Sequence, residues 1–279
     1  MTFLLLFHIE RSDELELNKI YNEDCLEGMK RIPDKSIDLI VTSPPYAEQR
    51  KKQYGGVPEN DYPRWTVKWL NEAKRILTDE GSVFINIRPH ISNGEISDYV
   101  LRTRLAIRES GWAECEELIW IKPDSPPLGS TKRPRRAWES ILWFSKTGRP
   151  YCDTKANGRK SDRIGFENNK KSNSDLYSGK KKAVSGVARS KDYIEVGTGK
   201  VGKGIEHPAI YPVEVPEYLI KMCTKEKGNV LDPFMGSGTT AIAAMRTGRN
   251  YIGFELDKGY FDIANDRIDK HKRDMAKDN

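Results

Sequence analysis

The sequence has few cysteines and histidines and no long apolar run, and these shortages exclude several classes of protein. Its four cysteines form no CxxC pair and its four histidines show no metal-ligand spacing, so neither a disulfide scaffold nor a metal site is predicted. No apolar stretch is long enough to cross a bilayer. Residues 1–16 lack the basic start and the small-residue cleavage site of a signal peptide, so we expect an extension there. The cysteine usage favours a reducing cytoplasm.

The chain is long enough for one large domain, with or without an inserted segment. It has 279 residues, of which 37% are hydrophobic and 32% charged, which predicts an ample core and a polar surface. The net charge of +6 is modest, but the cations are concentrated in one stretch, residues 146–206. This stretch is rich in Lys, Gly, Ser and Asn and poor in apolar runs.

A glycine-rich turn near the C-terminus is the strongest local signal. Residues 229–240 (NVLDPFMGSGTT) predict a strand, a tight turn at Gly236 and Gly238, and a helix from Thr239. Such a turn presents backbone N–H groups and the positive end of a helix to a polar ligand. A second strand ends about twenty residues later at Glu255, where a carboxylate can bind a ribose diol. Neither a P-loop nor GxGxxG is present, and a plain tight turn is the simpler alternative.

A second motif lies about 190 residues upstream, where an apolar strand is followed by Ser43, Pro44, Pro45 and Tyr46. Two consecutive prolines fix the backbone and remove two N–H donors, so this edge offers carbonyl oxygens, a hydroxyl and a ring. Those groups suit a flat, amine-bearing substrate, because oxygens accept from its NH2 while the ring stacks on its face. A loop that merely closes a strand is the structural alternative.

Together, TSPPY and DPFMGSGTT resemble the amino-directed DNA methyltransferases that use S-adenosylmethionine. Because the catalytic segment precedes the cofactor segment, the chain resembles the circularly permuted β-group, over about residues 18–269. The resemblance implies catalytic roles for Ser43, Pro44, Pro45 and Tyr46, and no metal. It implies cofactor contacts from Asp24, Asp232, Pro233, Phe234, Met235, Gly236, Ser237, Gly238, Thr239, Thr240 and Glu255. For Asp24 the alternative is a helix N-cap.

The alternation of strands and helices predicts an α/β fold. The resemblance implies, more specifically, a three-layer Rossmann-like class I methyltransferase fold with a mostly parallel sheet and a circularly permuted order of motifs. We expect an extension at 1–16, a catalytic half at 17–145, a basic target-recognition insert at 146–206 and a cofactor-binding half at 207–279. The family's antiparallel hairpin is expected at about residues 118–144.

Several clusters of cations are predicted to contact double-stranded DNA. They follow the catalytic edge, lie in a proline-rich loop and stand within the basic insert, where cations can neutralise phosphates. A solvated surface is the alternative for each of them. The predicted contacts are Arg50, Lys51, Lys52, Lys132, Arg133, Arg135, Arg136, Lys180, Lys181 and Lys182.

The motifs also favour one target base. In the family, SPPY tends to accompany N4 of cytosine and DPPY N6 of adenine, so Ser43 favours cytosine, with adenine as the alternative. A C5-cytosine enzyme needs a Cys nucleophile in a Pro-Cys pair, which the chain lacks. An RNA or protein-amide methyltransferase and a non-catalytic nucleotide binder remain rivals. The resemblance further implies a prokaryotic or phage setting, with a homodimer and a cognate restriction endonuclease as expected partners.

Overall fold

Strands and helices make up most of the chain that the computed structural model describes, namely residues 15–48, 56–125, 131–161, 164–166, 181–183, 186–198 and 211–277. The strands are β1 (Lys19–Tyr21), β2 (Ile37–Thr42), β3 (Leu77–Ile87), β4 (Ile91–Ser92), β5 (Glu95–Ile96), β6 (Ala113–Ile121), β7 (Trp138–Ser145), β8 (Lys160–Ser161), β9 (Ile164–Phe166), β10 (Lys181–Ala183), β11 (Gly186–Val187), β12 (Tyr193–Glu195), β13 (Asn229–Asp232) and β14 (Asn250–Phe254). The helices are α1 (Cys25–Met29), α2 (Tyr62–Ile76), α3 (Tyr99–Glu109), α4 (Glu214–Cys223), α5 (Thr239–Arg246) and α6 (Lys258–Lys277).

Eight of these strands form one mixed sheet in the order β1-β14-β13-β2-β3-β7-β6-β12. Five of its seven neighbouring pairs are parallel, and the two pairs that involve β7 are antiparallel. The antiparallel pair β6–β7 is the expected hairpin, with strands slightly longer than predicted. Strands β2 and β13 are parallel neighbours in the middle of the sheet. The two sequence motifs that follow them therefore meet at the carboxyl ends of these strands, although they are far apart in sequence.

Apolar side chains cover both faces of the sheet, as expected for strands buried between two helical layers. In β3, Ile85 packs with α1, α2 and α3 on one face, whereas Phe84 packs with α4, α5 and α6 on the other. The result is a three-layer α/β sandwich. Among the described helices, none has the length and apolar character that a membrane span requires.

The described parts of the predicted insert, residues 146–206, pack partly on this sandwich. Strand β12 adds to the sheet beside β6, and its Ile194 is buried. The backbone N–H of Asp153 donates to the Met222 carbonyl at 2.8 Å. Strands β8 to β11 form two small antiparallel ribbons apart from the main sheet. The parts around Asp153 and Ile194 therefore belong structurally to the sandwich, and the role of the segment in target recognition stays a prediction.

Candidate active site

The glycine-rich turn connects β13 to α5 through two residues in the left-handed region. Gly236 has a φ of 55° and Gly238 a φ of 83°, conformations that a side chain would strain. A Cβ atom at Gly238 would also lie 3.2 Å from the Cβ of Ala264 and 3.3 Å from its backbone. Glycine at 238 is thus required both by the backbone angle and by the helix α6 behind it.

Contacts from two directions fix this turn. On one side, the Met235 N–H donates to the Phe254 carbonyl and the Gly236 N–H to Glu255 Oε2, both at 2.8 Å. On the other side, the Arg267 guanidinium in α6 donates to the carbonyl and the hydroxyl of Ser237. Arg267 stands in a helix with no motif around it, so no sequence pattern signals this contact.

Asp232 ends β13 and is buried, and its carboxylate is held by the protein itself. Oδ1 accepts from the Thr42 hydroxyl at 2.7 Å and from the Phe234 N–H at 3.0 Å, and Oδ2 accepts from the Thr240 hydroxyl at 2.6 Å. Burial raises the pKa of Asp232 to about 6, although these hydrogen bonds oppose the shift. The bond from Thr42 ties the strand of the TSPPY motif to the strand of the glycine-rich motif.

The other predicted cofactor residues gather at the same edge. Glu255 follows β14, the strand beside β13, and its Oε1 accepts from the Asp257 N–H at 2.8 Å. Asp24 follows β1, the strand beyond β14, and caps α1 by accepting from the Leu26 N–H at 2.8 Å, so the capping alternative is realised. The Phe234 ring packs against Trp65 at 5.2 Å between ring centroids. We call Asp232–Thr240 and Glu255 the cofactor rim.

Directly beside this rim, Ser43, Pro44, Pro45 and Tyr46 follow β2. The Tyr46 hydroxyl donates to Glu139 Oε2 at 2.7 Å, while its ring stays partly exposed. Burial of the hydroxyl and the adjacent Glu139 carboxylate raise the pKa of Tyr46 well above its usual range. Tyr46 is therefore a neutral phenol whose position is fixed by Glu139, and it is not a proton-accepting phenolate.

Three residues that the sequence interpretation did not single out complete this cluster. Asn86 Nδ2 lies 2.8 Å from Glu139 Oε2, 3.0 Å from the Tyr46 hydroxyl oxygen and 3.5 Å from Ser43 Oγ. The Lys122 ammonium pairs with Glu139 Oε1. We call Ser43, Tyr46, Asn86, Lys122 and Glu139 the Tyr46 cluster. The available signal was one amide or carboxylate side chain in each of two largely apolar strands, SVFINI and WESILWF.

The predicted DNA contacts divide into three groups. Lys132, Arg133 and Arg135 are exposed in the proline-rich loop, and Arg136 is half-buried. Arg133 and Arg136 donate to the carbonyls of Gly94 and Pro89, so both also hold the loop itself. Lys181 and Lys182 belong to β10, but their side chains are not described. The other predicted contacts lie outside the described residues: Arg50, Lys51, Lys52 and Lys180.

Arg88 is a cation near the site that the sequence interpretation missed. It follows β3, two residues after Asn86, and its Nε is buried without a hydrogen-bond partner among the described residues. Burial, and after it the charge of Arg88, lower the pKa of Arg136. Arg136 also donates to the carbonyl of Pro89, the residue after Arg88, so two cationic residues are neighbours beside the Tyr46 cluster, an arrangement that suits an anionic group.

Comparison with known proteins gives a consistent result. The model of the family described as DNA methylase matches residues 37–266. The type II methyltransferase M.Cfr9I of Citrobacter freundii is 28% identical, over 93% of this chain and 91% of the relative. The type II methyltransferase M.PvuII of Proteus hauseri is 30% identical, over 86% of this chain and 80% of the relative.

Solved structures share the fold. The PvuII DNA methyltransferase, described as cytosine-N4-specific, superposes with a TM-score of 0.71 at 26% identity, covering 90% of this chain and 86% of that one. The Thermus thermophilus protein TTHA0409, in complex with S-adenosyl-L-methionine, superposes with a TM-score of 0.62 at 22% identity, covering 91% of this chain and 93% of that one. The second likeness is evidence for the fold alone.

Proposed function

The chain belongs to the DNA methylase family, and we propose that it transfers a methyl group from S-adenosylmethionine to N4 of a flipped cytosine in duplex DNA. The predicted family, the class I α/β fold and the DNA methyltransferase activity are confirmed by the matches above. The observation that carries the proposal is the hydrogen bond between Thr42 and Asp232, because it fixes the amine-binding edge beside the glycine-rich turn.

The residues of the cofactor rim fit S-adenosylmethionine. The left-handed turn at Gly236 and Gly238 brings backbone close to a ligand, and the N-terminus of α5 suits the ligand's carboxylate. Glu255 would accept from the ribose hydroxyls, since a carboxylate oxygen can accept more than one hydrogen bond. Asp24, which also caps α1, would accept from the adenine amine. S-adenosylmethionine supplies a methyl group activated by its positively charged sulfur.

At the neighbouring edge, the chain would prepare the target amine. The lone pair of an exocyclic amine is delocalised into the ring, so the nitrogen is a weak nucleophile. Acceptance of its hydrogens by the Ser43 hydroxyl and the Pro44 carbonyl would favour a pyramidal nitrogen and the developing positive charge. Pro45 keeps the edge stiff and Tyr46 would stack on the base. Positioning then contributes more than base catalysis, because the methyl group is already activated.

A stacked base cannot reach this edge, so the target must leave the duplex. The exposed cations of the proline-rich loop, the Arg88–Arg136 pair and the basic insert would bind the phosphates around it. Cytosine is favoured over adenine because of Ser43 and because the similar PvuII enzyme is described as cytosine-N4-specific. The setting we propose is the bacterial cytoplasm, within a restriction-modification system, with a cognate endonuclease and a homodimeric enzyme.

The test is methyl transfer to mixed-sequence duplex DNA, followed by digestion to nucleosides and mass spectrometry. We expect N4-methylcytosine, and sequencing of the methylated DNA would then give the recognition site. N6-methyladenine would contradict the base assignment while keeping the reaction class. If the protein binds S-adenosylmethionine but methylates no DNA base, the proposed substrate is wrong, and RNA and protein amides become the substrates to assay.

A further inference from the structure

A short β-ribbon follows the strand that carries Asn86 of the Tyr46 cluster. Strand β3 ends at Ile87, and the antiparallel ribbon formed by β4 and β5 begins at Ile91. At about 3.4 Å per residue, Ile91 lies within about 17 Å of Asn86, a length that corresponds to about five base pairs of a duplex. The ribbon is therefore within reach of DNA whose flipped base occupies the candidate active site.

The protein holds this ribbon at its base and at its tip. At the base, the hydroxyl of the buried Tyr99 donates to the Arg88 carbonyl at 2.6 Å, and the Tyr99 ring stacks on His90 at 5.7 Å between ring centroids. At the tip, the Arg133 guanidinium donates to the Gly94 carbonyl. Because a two-stranded ribbon alone is only marginally stable in water, these contacts give it a defined position.

The two faces of the ribbon differ in chemistry, and both are open to solvent. Ile91 pairs with Ile96 and Ser92 pairs with Glu95, so the apolar pair and the polar pair point to opposite faces. All six residues from Ile91 to Ile96 are exposed, with Ile91 at 37% and Ile96 at 64%. Two adjacent isoleucines that the rest of the described chain leaves uncovered indicate a surface for a partner.

The charges around the apolar face fit DNA as that partner. Arg133, which holds the tip, belongs to the exposed cationic loop, and Arg136 lies at the base with Arg88, where it donates to the Pro89 carbonyl. Glu95 carries the only negative charge of the ribbon and is on the polar face, away from the isoleucines. Cations at both ends can bind phosphates, and a two-stranded ribbon fits the major groove, which is about 12 Å wide.

We infer that the β4–β5 ribbon enters the major groove beside the flipped base, with Ile91 and Ile96 against the base edges and Glu95 turned away from the DNA. Apolar side chains read sequence there through groups such as the methyl of thymine. The inference rests on the proposed function and adds a second element of site recognition to the predicted basic insert. Because base contacts specify and phosphate contacts position, the ribbon should affect the choice of site more than the general affinity for DNA.

The experiment compares the wild type with the double change Ile91→Thr and Ile96→Thr, which keeps β-branched side chains in the ribbon but makes its apolar face more polar. Affinity is measured on the duplex that the wild type methylates and on a duplex without that site, each over a range of salt concentrations. We expect the ratio of the two affinities to fall roughly 10- to 100-fold, because two apolar contacts in the groove are lost. The dependence of affinity on salt should not change, since no cation is removed.

Two control variants separate this role from general effects. Ser92→Ala alters the opposite face of the same ribbon. Leu105→Gln makes another exposed apolar residue polar, on helix α3, where Leu105 is 55% exposed. Both variants should keep the affinity ratio of the wild type.

An unchanged ratio in the double variant, or an equal loss in Ser92→Ala, would overturn the inference and leave the proposed function intact. A changed oligomeric state in sedimentation, with an unchanged ratio, would also overturn it and assign the apolar face to a second copy of the chain. Absence of DNA methylation by the wild type would instead contradict the proposed function. If the double variant does not fold, Ile96→Ala alone provides the comparison, because Ile96 is the more exposed of the two.

Discussion

The cofactor rim and the Tyr46 cluster lie side by side but are built in different ways. In the rim, Asp232 and Glu255 accept hydrogen bonds from backbone N–H groups and hydroxyls that are mostly close in sequence. In the Tyr46 cluster, side chains from distant parts of the chain hold one another through Glu139, and Asn86 Oδ1 is left without a described partner. A short motif thus forms most of the rim, whereas the sheet topology assembles the cluster.

The two regions also accommodate a buried carboxylate differently. Asp232 is held by two hydroxyls and a backbone N–H, and burial raises its pKa to about 6. Glu139 is held by an ammonium, a phenol and an amide. Hydroxyls only partly compensate for the lost hydration of a charge, whereas a buried ion pair is stable only while both partners remain. Substitutions in the two regions should therefore alter different measured quantities.

The largest effect on ligand binding should come from the backbone of the rim. Gly238→Asp would place a side chain at a φ of 83° and against Ala264, and would add a negative charge beside the proposed site of the ligand's carboxylate. We expect affinity for S-adenosylmethionine, measured by calorimetry, to fall more than about 100-fold. Gly248→Asp is the matched control, because Gly248 also has a positive φ, of 69°, but a Cβ atom there would meet no other atom within 4 Å. Unchanged affinity in Gly238→Asp would remove the turn from the cofactor site.

This contrast explains how much the sequence could predict. The rim was predictable because the glycines, the preceding strand and Glu255 occur within one strand-turn-helix-strand segment. Of the Tyr46 cluster only Ser43 and Tyr46 were predictable, because Asn86, Lys122 and Glu139 join them only through the antiparallel pairing of β7 with both β3 and β6. Asp232 was predicted as a cofactor residue, but local sequence could not reveal that its carboxylate accepts from Thr42.

The next prediction concerns the stability that depends on the Lys122–Glu139 ion pair of the Tyr46 cluster. Glu139→Gln would leave the Lys122 ammonium buried without its counter-charge, since both side chains are 10% exposed. We expect the free energy of unfolding to fall by about 3–5 kcal/mol, and the double change Lys122→Met with Glu139→Gln to recover most of it. Denaturant unfolding of the three proteins tests this.

The exposed pair Lys258–Asp262 is the matched control for this experiment, with exposures of 66% and 56%. Its change Asp262→Asn should cost less than about 1 kcal/mol. A double variant no more stable than Glu139→Gln alone would contradict the view that the uncompensated charge causes the loss.

The Asp232 carboxylate of the rim should make the stability of the protein depend on pH. Because the pKa of Asp232 is raised from 3.8 to about 6 in the folded protein, the native state binds the proton more tightly than the unfolded chain. Stability therefore decreases as pH rises from about 4 to about 6, by up to about 3 kcal/mol for a shift of about two pKa units. Asp232→Asn does not titrate, so the wild type should lose stability relative to this variant over that interval. A constant difference in urea unfolding between pH 4 and 7 would show that Asp232 keeps its ordinary pKa.

The smallest predicted effect is on turnover, and it distinguishes the role of the Tyr46 ring from that of the Tyr46 hydroxyl. Tyr46→Ala removes the ring that would stack on the base, and base–aromatic stacking contributes about 1–3 kcal/mol, so kcat should fall roughly 10- to 100-fold. Tyr46→Phe keeps the ring and loses only the hydrogen bonds that its hydroxyl makes with Glu139 and Asn86, so it should retain most of the turnover. Affinity for S-adenosylmethionine should be unchanged in both variants, because the ring belongs to the cluster and not to the rim. If Tyr46→Phe were as slow as Tyr46→Ala, the hydroxyl and its link to Glu139, rather than stacking, would be what positions the base.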